Sequence, residues 1–310
     1  MKYRYLFGPV HSRRLGISLG IDMLPYKTCT YNCVYCECGF TTSQINLRKE
    51  YTSADVIMKE LQHFLNTGPR LDYITFAGSG EPTLHSRITD ILSFLKINYP
   101  HYKTALLTNG SLFSNKKLQK ELLAFDVIIP SLNSATQSVF KKINRPLRNM
   151  QIKNIIQGLI SFRNIYTGEL WLEIFLVNGI NDHASELEKL ALTVKKIHAD
   201  TVQINTIDRP PALRTAKPAS KTGIERLLRL IPGSEVITRQ YRTQYKKACK
   251  TNPGAIILTL KRRPSTIADI EQTMGLTKSV IKKYLDVLLR NKKIKKEIIN
   301  NKDFYVAVKK

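Results

Sequence analysis

The sequence predicts an α/β fold: a partial (β/α)6 TIM-like barrel with a small C-terminal winged helix-turn-helix domain. Three observations carry that expectation. Segments of strand and helix character alternate over the first two-thirds of the chain. Several of the strands end in a small or polar residue, Gly78, Asn109, Ser131, Asn178 and Asn205, and an α/β barrel places its site at the carboxyl ends of its strands. The segment 252–310 reads helix, helix, turn, helix, hairpin. Six units are too few for the usual eightfold closure, so the barrel is expected to be open.

In order, "LGISLGID" (15–22) is the first strand and runs into a cysteine loop. "TSADVIMKELQHFLN" (52–66) is a helix that Thr52 or Ser53 can cap, with Val56, Ile57, Leu61, Phe64 and Leu65 at helical spacing. "DYITFAG" (72–78) is a strand, "ITDILSFLKI" (88–97) a helix and "KTALLT" (103–108) a strand. "SNKKLQKELLA" (114–124) is a helix capped by Ser114, "DVIIPSL" (126–132) a strand and "MQIKNIIQGLISFRN" (150–164) a helix. "LWLEIFLV" (170–177), "HASELEKLALTVKKI" (183–197) and "TVQINTI" (201–207) complete the series.

The Pro-, Ala- and Lys-rich stretch 209–223 reads as a surface loop, followed by a short helix at 224–231 and a basic linker at 232–251. Thereafter "PGAIILTLKR" is a short helix and "STIADIEQTMG" a capped helix closed by glycine. "TKSVIKKYLDVLLRNKKI" is a longer helix, and "KKEIINNKDFYVAVKK" two strands around an Asn-rich turn. The expected domains are therefore 1–231 and 252–310.

Charge and composition bound the function. The 310 residues include 49 Lys and Arg against 24 Asp and Glu, a formal net charge of +25. An excess of that size points to a polyanionic partner, most simply nucleic acid; the alternative is a generally solvated basic surface. No apolar stretch is long enough to span a bilayer, and the N-terminus lacks an apolar run of signal-peptide type. The expected compartment is the cytoplasm, where clustered thiols bind metal or react.

Four of the five cysteines stand in "KTCTYNCVYCECG" (27–39), and Cys29, Cys33 and Cys36 form C-x3-C-x2-C. A structural zinc site draws four ligands from two separated knuckles, and no second knuckle exists here: the remaining cysteine, Cys249, reads as an isolated thiol. A common ferredoxin cluster needs four cysteines. Cys38 follows Cys36 after a single residue, and its thiol is expected to point away from the other three. Three thiolates on a cubane [4Fe–4S] cluster leave one iron open for a reacting ligand.

C-x3-C-x2-C with Tyr35 before its last cysteine resembles the signature of the radical S-adenosylmethionine (SAM) enzymes, and the likeness extends over roughly residues 1–231. It implies that Cys29, Cys33 and Cys36 hold the cluster. It also implies that "GSGEP" (Gly78, Ser79, Gly80, Glu81 and Pro82) is the segment meeting the SAM amino group, with Gly80 allowing close approach and Glu81 accepting from the ammonium. By the same likeness Asn109 belongs with the SAM contacts, Ser131 and Asn133 meet the ribose, and "VNGIND", through Val177 and Gly179, packs on the adenine. Other readings of the same residues are a loop carboxylate for Glu81, a plain turn for "TNG" (108–110) and helix caps for Ser131 and Asn133.

"GPVHSRRLGISLGIDMLPYKTCTYNCVYC", "NSATQSVFKKINRP" and "VQINTIDRPP" are similar to the branch holding the wyosine-tRNA radical SAM enzymes and their bacterial relatives. Those enzymes carry further cysteines upstream of the core motif for a second cluster. This chain has none before Cys29, so the resemblance does not carry their pyruvate condensation over to it.

What the resemblance implies is an oxidoreductase-type enzyme. An electron from a flavodoxin or ferredoxin reduces the cluster, and SAM is cleaved to methionine and a 5′-deoxyadenosyl radical. The substrate is expected to be RNA, by branch and by charge. Two alternatives stand beside it: a small-molecule or protein substrate with a regulatory winged helix, and an iron–sulfur DNA-binding redox sensor without turnover. Lys278, Lys282 and Lys283 open the presumed recognition helix, the end that enters the groove in helix-turn-helix readers. His11, Arg13 and Arg14 either face the site or are surface charge. Cys38 is either a small loop residue or a nearby reactive thiol.

Overall fold

The chain begins with a hairpin: strand Leu6–Ser12 (β1) pairs antiparallel with Gly16–Ile21 (β2). This is a computed structural model, and it describes residues 3–237, 255–299 and 301–308. The loop after β2 contains two short paired segments, Thr28–Cys29 (β3) and Ser43–Gln44 (β4). Helix Ala54–Leu65 (α1) then leads to strand Tyr73–Phe76 (β5), helix Ile88–Asn98 (α2) to strand Lys103–Thr108 (β6), and helix Lys116–Glu121 (α3) to strand Val127–Pro130 (β7). Two helices, Gln137–Ile143 (α4) and Ile152–Arg163 (α5), precede strand Glu169–Leu176 (β8). Helix Ala184–Ile197 (α6) connects to strand Thr201–Thr206 (β9), and helix Lys221–Leu230 (α7) to the two-residue strand Glu235–Val236 (β10).

One sheet gathers these strands in the order β1-β2-β5-β6-β7-β8-β9-β10. From β2 through β10 every neighbouring pair is parallel. The six expected strands are therefore the centre of an open partial barrel, with an antiparallel strand added at one edge and a short parallel one at the other. The helices bury apolar faces against the sheet: Phe76, Phe113 and Phe162 are fully buried, each contributing on the order of 1.5–3 kcal/mol by transfer from water.

Several elements differ from the sequence expectation. The hairpin strand β1 lies outside the six expected strands: Gly8 and Pro9 interrupt "LFGPVHS", and only Leu6 is buried along it. Asn115, not Ser114, caps α3: its side chain accepts from the Lys117 and Leu118 amides, while a turn from Leu112 to Asn115 takes Ser114 out of reach. At α1 the cap position is Ser53, yet the Ala54 amide donates to Glu50 instead. Helix α7 starts three residues earlier than expected, behind a Ser220 cap. The expected linker 232–251 begins inside the sheet, since β10 pairs with β9; its remainder from residue 238, including Cys249, lies outside the described residues.

A second core lies in the C-terminal segment. Helices Ala255–Arg262 (α8), Ile267–Met274 (α9) and Lys278–Arg290 (α10) precede an antiparallel pair, Ile294–Ile299 (β11) and Lys302–Ala307 (β12). Ile256, Leu260, Ile270, Ile281, Leu285 and Ile294 pack together there. Thr266 and Asp269 form a reciprocal capping box at the start of α9, and Gly275 ends it with φ 62°. Helix α9 of this unit packs against β1, an edge strand of the sheet. Arg262 pairs with Asp22 at 3.3 Å, donates to the Arg4 carbonyl at 2.9 Å and lies over the Phe7 ring. Arg209 donates to the Pro264 carbonyl at 2.8 Å.

Candidate functional site

The cysteine loop hangs from β3 and is held from two sides. The end of α4 supplies carbonyls: the Val34 amide donates to Ile143 and the Asn32 amide to Asn144, both at 3.0 Å. On the other side the Glu81 amide donates to the Thr28 carbonyl at 3.0 Å. Gly80 is needed there, because a Cβ would stand well inside contact distance of that same carbonyl, and at Gly78 it would collide with Asp22. The glycines of "GSGEP" thus let the end of β5 pack against the cysteine loop. Gly80→Ala is expected to push the two apart; the check is iron retained after anaerobic reconstitution and desalting, which should fall well below wild type.

Three thiols face one cavity of about 280 Å³ at the carboxyl ends of the strands. Each has a hydrogen donor. Asn109 Nδ2 lies 3.4 Å from Cys29 Sγ, Asn144 Nδ2 is 3.3 Å from Cys33 Sγ, and Lys27 Nζ is 3.1 Å from Cys36 Sγ. The Tyr35 hydroxyl adds a second donor to Cys33. Burial pushes the Cys29 thiol up to about 12 and that of Cys33 to about 11, with neighbouring negative charge adding to both. The Cys38 hydrogen bond, aided by Lys27 and opposed by burial, pulls Cys36 down to about 5. Burial works against the charge on Lys27, but Cys36, then Cys29 and Cys38, hold its proton on, above the ordinary lysine range.

Cys38 lines the same cavity. The loop is not extended there: the Cys36 amide bonds to the Cys33 carbonyl and the Gly39 amide to that of Cys36. Against the expectation that Cys36 and Cys38 point apart, the turned loop keeps both thiols on the same cavity. The Cys38 sulfur stands 3.0 Å from the Arg262 carbonyl as well as beside Cys36, so its one thiol proton serves either acceptor; α8 closes this flank, and Tyr26 donates to the Cys38 carbonyl.

Glu81 is buried, and its carboxylate accepts from the Thr83 amide and hydroxyl, the Thr108 hydroxyl and the Asn109 amide. Burial pushes its carboxyl up against these donors. The side chain ties the ends of β5 and β6 together, so most of its acceptor capacity is taken by the fold. Gly78, Ser79, Gly80, Glu81, Asn109, Ser131 and Tyr35 all line the cavity with the cysteines. Asn133, Val177 and Gly179 are not among the lining residues. Asn133 is buried and spends its amide on the Tyr35 hydroxyl and the Phe175 amide. The Val177 amide donates to Asn181, and that of Gly179 to Asp182. The Tyr35 ring stacks on Phe175 at 4.1 Å.

A buried polar knot lies across the cavity. Glu173 on β8 accepts from Arg14 at 2.8 Å, Ser131 at 2.9 Å and Asn205 at 3.1 Å. Burial pushes its carboxyl up; Arg14, Asn205, Ser131 and Arg13 outweigh that and hold it below the ordinary glutamate range. Sequence reasoning passed over Glu173, though a carboxylate in the middle of the half-buried face of "ELWLEIFL", between Trp171 and Phe175, was the available signal. Of His11, Arg13 and Arg14, the two arginines line this cavity and all three line the chamber beside it.

The donor set suits an iron–sulfur cluster. Among the described residues no three His, Cys, Asp or Glu side chains could hold a single metal ion, whereas the ligands of a cubane go to separate irons and stand farther apart. Donors to each sulfur are the usual outer support of such thiolates.

With fold and cavity described, the class follows. Residues 23–191 match the Radical SAM superfamily, more than half of the chain, and the chain belongs to that superfamily. It is an enzyme that uses a [4Fe–4S] cluster and SAM. Among its relatives, it is 33% identical over 306 residues to a UPF0026 protein of Helicobacter pylori, covering 97% of each chain. It is 35% identical over 304 residues to the protein named GTPase Obg of Brachyspira hyodysenteriae, covering 97% of this chain but 45% of that one. A solved radical SAM methyltransferase from Sphaerobacter thermophilus shares the fold, with a TM-score of 0.55 at 16% identity over 83% of this chain and 70% of that one. No helix among the described residues is long and apolar enough to cross a membrane.

Proposed function

We propose that Cys29, Cys33 and Cys36 hold the cluster, that SAM is seated between it and the "GSGEP" segment, and that the substrate is RNA. The observation that carries the site assignment is the convergence of three donor-supported thiols on a cavity whose opposite walls are "GSGEP" and the Glu173 knot. When bound, the cluster and SAM supply a 5′-deoxyadenosyl radical by reductive cleavage. The chain's own residues orient and exclude. Asn109, Asn144, Tyr35 and Lys27 steady the thiolates, and Glu81 fixes the strand ends. Tyr35 on Phe175 walls one side against water, and Ser131 and Asn205 hold Glu173 toward the cavity. The electron donor would be a flavodoxin or ferredoxin, and the compartment the cytoplasm.

The net charge of +25 supports an RNA substrate. So does the exposed start of α10, where Lys278, Lys282 and Lys283 make no ion pair among the described residues. We read the C-terminal helices and hairpin as a winged helix that docks nucleic acid. Anaerobically reconstituted protein with SAM and dithionite should yield 5′-deoxyadenosine. In filter binding, tRNA should bind in preference to duplex DNA. Its affinity should fall by orders of magnitude between about 50 and 200 mM salt. No tRNA binding at the lower salt would refute the RNA assignment.

A further inference from the structure

Beside the cluster cavity lies a second chamber of about 220 Å³, between the β1–β2 hairpin and the end of α8. Arg13, Arg14, Glu37 and Arg209 belong to the walls of both, so an occupant of the chamber abuts the place of chemistry. Five arginines, His11 and Glu37 line the chamber, and carboxylates just behind the lining, Asp22, Glu173, Asp208 and Asp269, reach four of the arginines.

Four of the arginines have partners. Arg14 is taken by Glu173, Arg262 by Asp22, and Arg13 faces Asp208 at 3.5 Å. Arg209 meets Glu37 at 3.0 Å and Asp269 at 3.4 Å. Arg263 differs: its guanidinium makes no hydrogen bond or ion pair among the described residues, although it is only partly exposed. Burial and then Arg209 push it down to about 10, with Arg13 adding to the effect and Glu37 and Asp269 opposing it. A guanidinium that is withdrawn from water beside like charges and left without an acceptor is costly, unless an anion arrives from outside.

Resting on the functional reading above, we propose that this chamber is a phosphate subsite: Arg263, with Arg13 and Arg209, receives a phosphate group of the substrate next to the radical site. A phosphate suits it better than a carboxylate. Glu37, Asp208 and Asp269 are engaged by Arg13 and Arg209, whereas the planar fork of Arg263 is unused, and a tetrahedral phosphate offers oxygens to it and to the neighbouring guanidiniums at once. The phosphate belongs either to an RNA backbone or to a small phosphorylated molecule.

The test uses reconstituted holoprotein and inorganic phosphate, followed by calorimetry, with Arg263→Ala, Arg263→Lys and the remote surface variant Lys117→Ala. Iron content and thermal midpoint confirm that each variant is folded and loaded. Saturable phosphate binding is expected for wild type and Lys117→Ala. It should weaken at least tenfold in Arg263→Ala and recover in part in Arg263→Lys. Equal binding by wild type and Arg263→Ala, or no binding by wild type, overturns the proposal. Should Arg263→Ala fail to load, Arg13→Gln read in the same way decides it. Titration with tRNA separates the sources: affinity that falls with phosphate binding assigns the group to the RNA backbone, and unchanged affinity assigns it to a small phosphorylated molecule. Wild type that makes no 5′-deoxyadenosine would refute the functional reading and leave the phosphate measurement standing.

Discussion

Cys33→Ala is expected to abolish 5′-deoxyadenosine formation from SAM and dithionite, a loss of more than about a hundredfold, since outer supports of metal ligands alone are worth 10–100-fold. Cys33 is supported by two donors, Asn144 and the Tyr35 hydroxyl. Removing the sulfur should leave those donors without their acceptor and one iron without its ligand. Iron content and the cluster's visible absorbance should fall with activity. Asn144→Ala should keep the cysteine and lose about tenfold in cluster retention. Cys38→Ala should keep its iron, because three cysteines suffice. If Cys38→Ala lost the cluster while Cys33→Ala kept it, the ligand set would be wrong.

The second large effect concerns Glu173. Arg14 and Glu173 are each 14% exposed, and their ion pair is 2.8 Å long. Glu173→Ala leaves Arg14 as an unpaired, largely buried charge, which costs about 3–5 kcal/mol. Urea unfolding at one state of cluster loading measures it. Arg14→Ala with Glu173→Ala should cost clearly less than the two singles added together; simple additivity would show that the pair is not coupled. The pH dependence has a definite sign. The folded carboxyl sits below its unfolded value, so its contribution is present above the unfolded pKa, about 4.3, and is lost as pH falls through the depressed folded value. Acid destabilisation should therefore be shallower in Glu173→Ala than in wild type.

The parallel centre of the sheet was legible because its strands are short apolar runs between amphipathic helices, a pattern that needs no tertiary information. The cysteines were legible through their spacing. What escaped was decided by contacts between distant segments. Helix α4 is only seven residues long, too short for its periodicity to separate it from the loop around it, yet its end carries the cysteine loop. The structural part of Glu81 was hidden for a related reason. Sequence offers its charge to a ligand, while four donors from residues 83, 108 and 109 already claim it. Cys38 depended on backbone turns between Cys33 and Gly39 that spacing alone does not encode.

The contact between the Cys38 thiol and the Arg262 carbonyl joins residues 224 positions apart. A ribosome makes the cysteine loop early and its outer flank late. A nascent chain that has not reached residue 262 lacks the carbonyl that the Cys38 thiol meets, so this flank of the loop closes only after 224 further residues have been made.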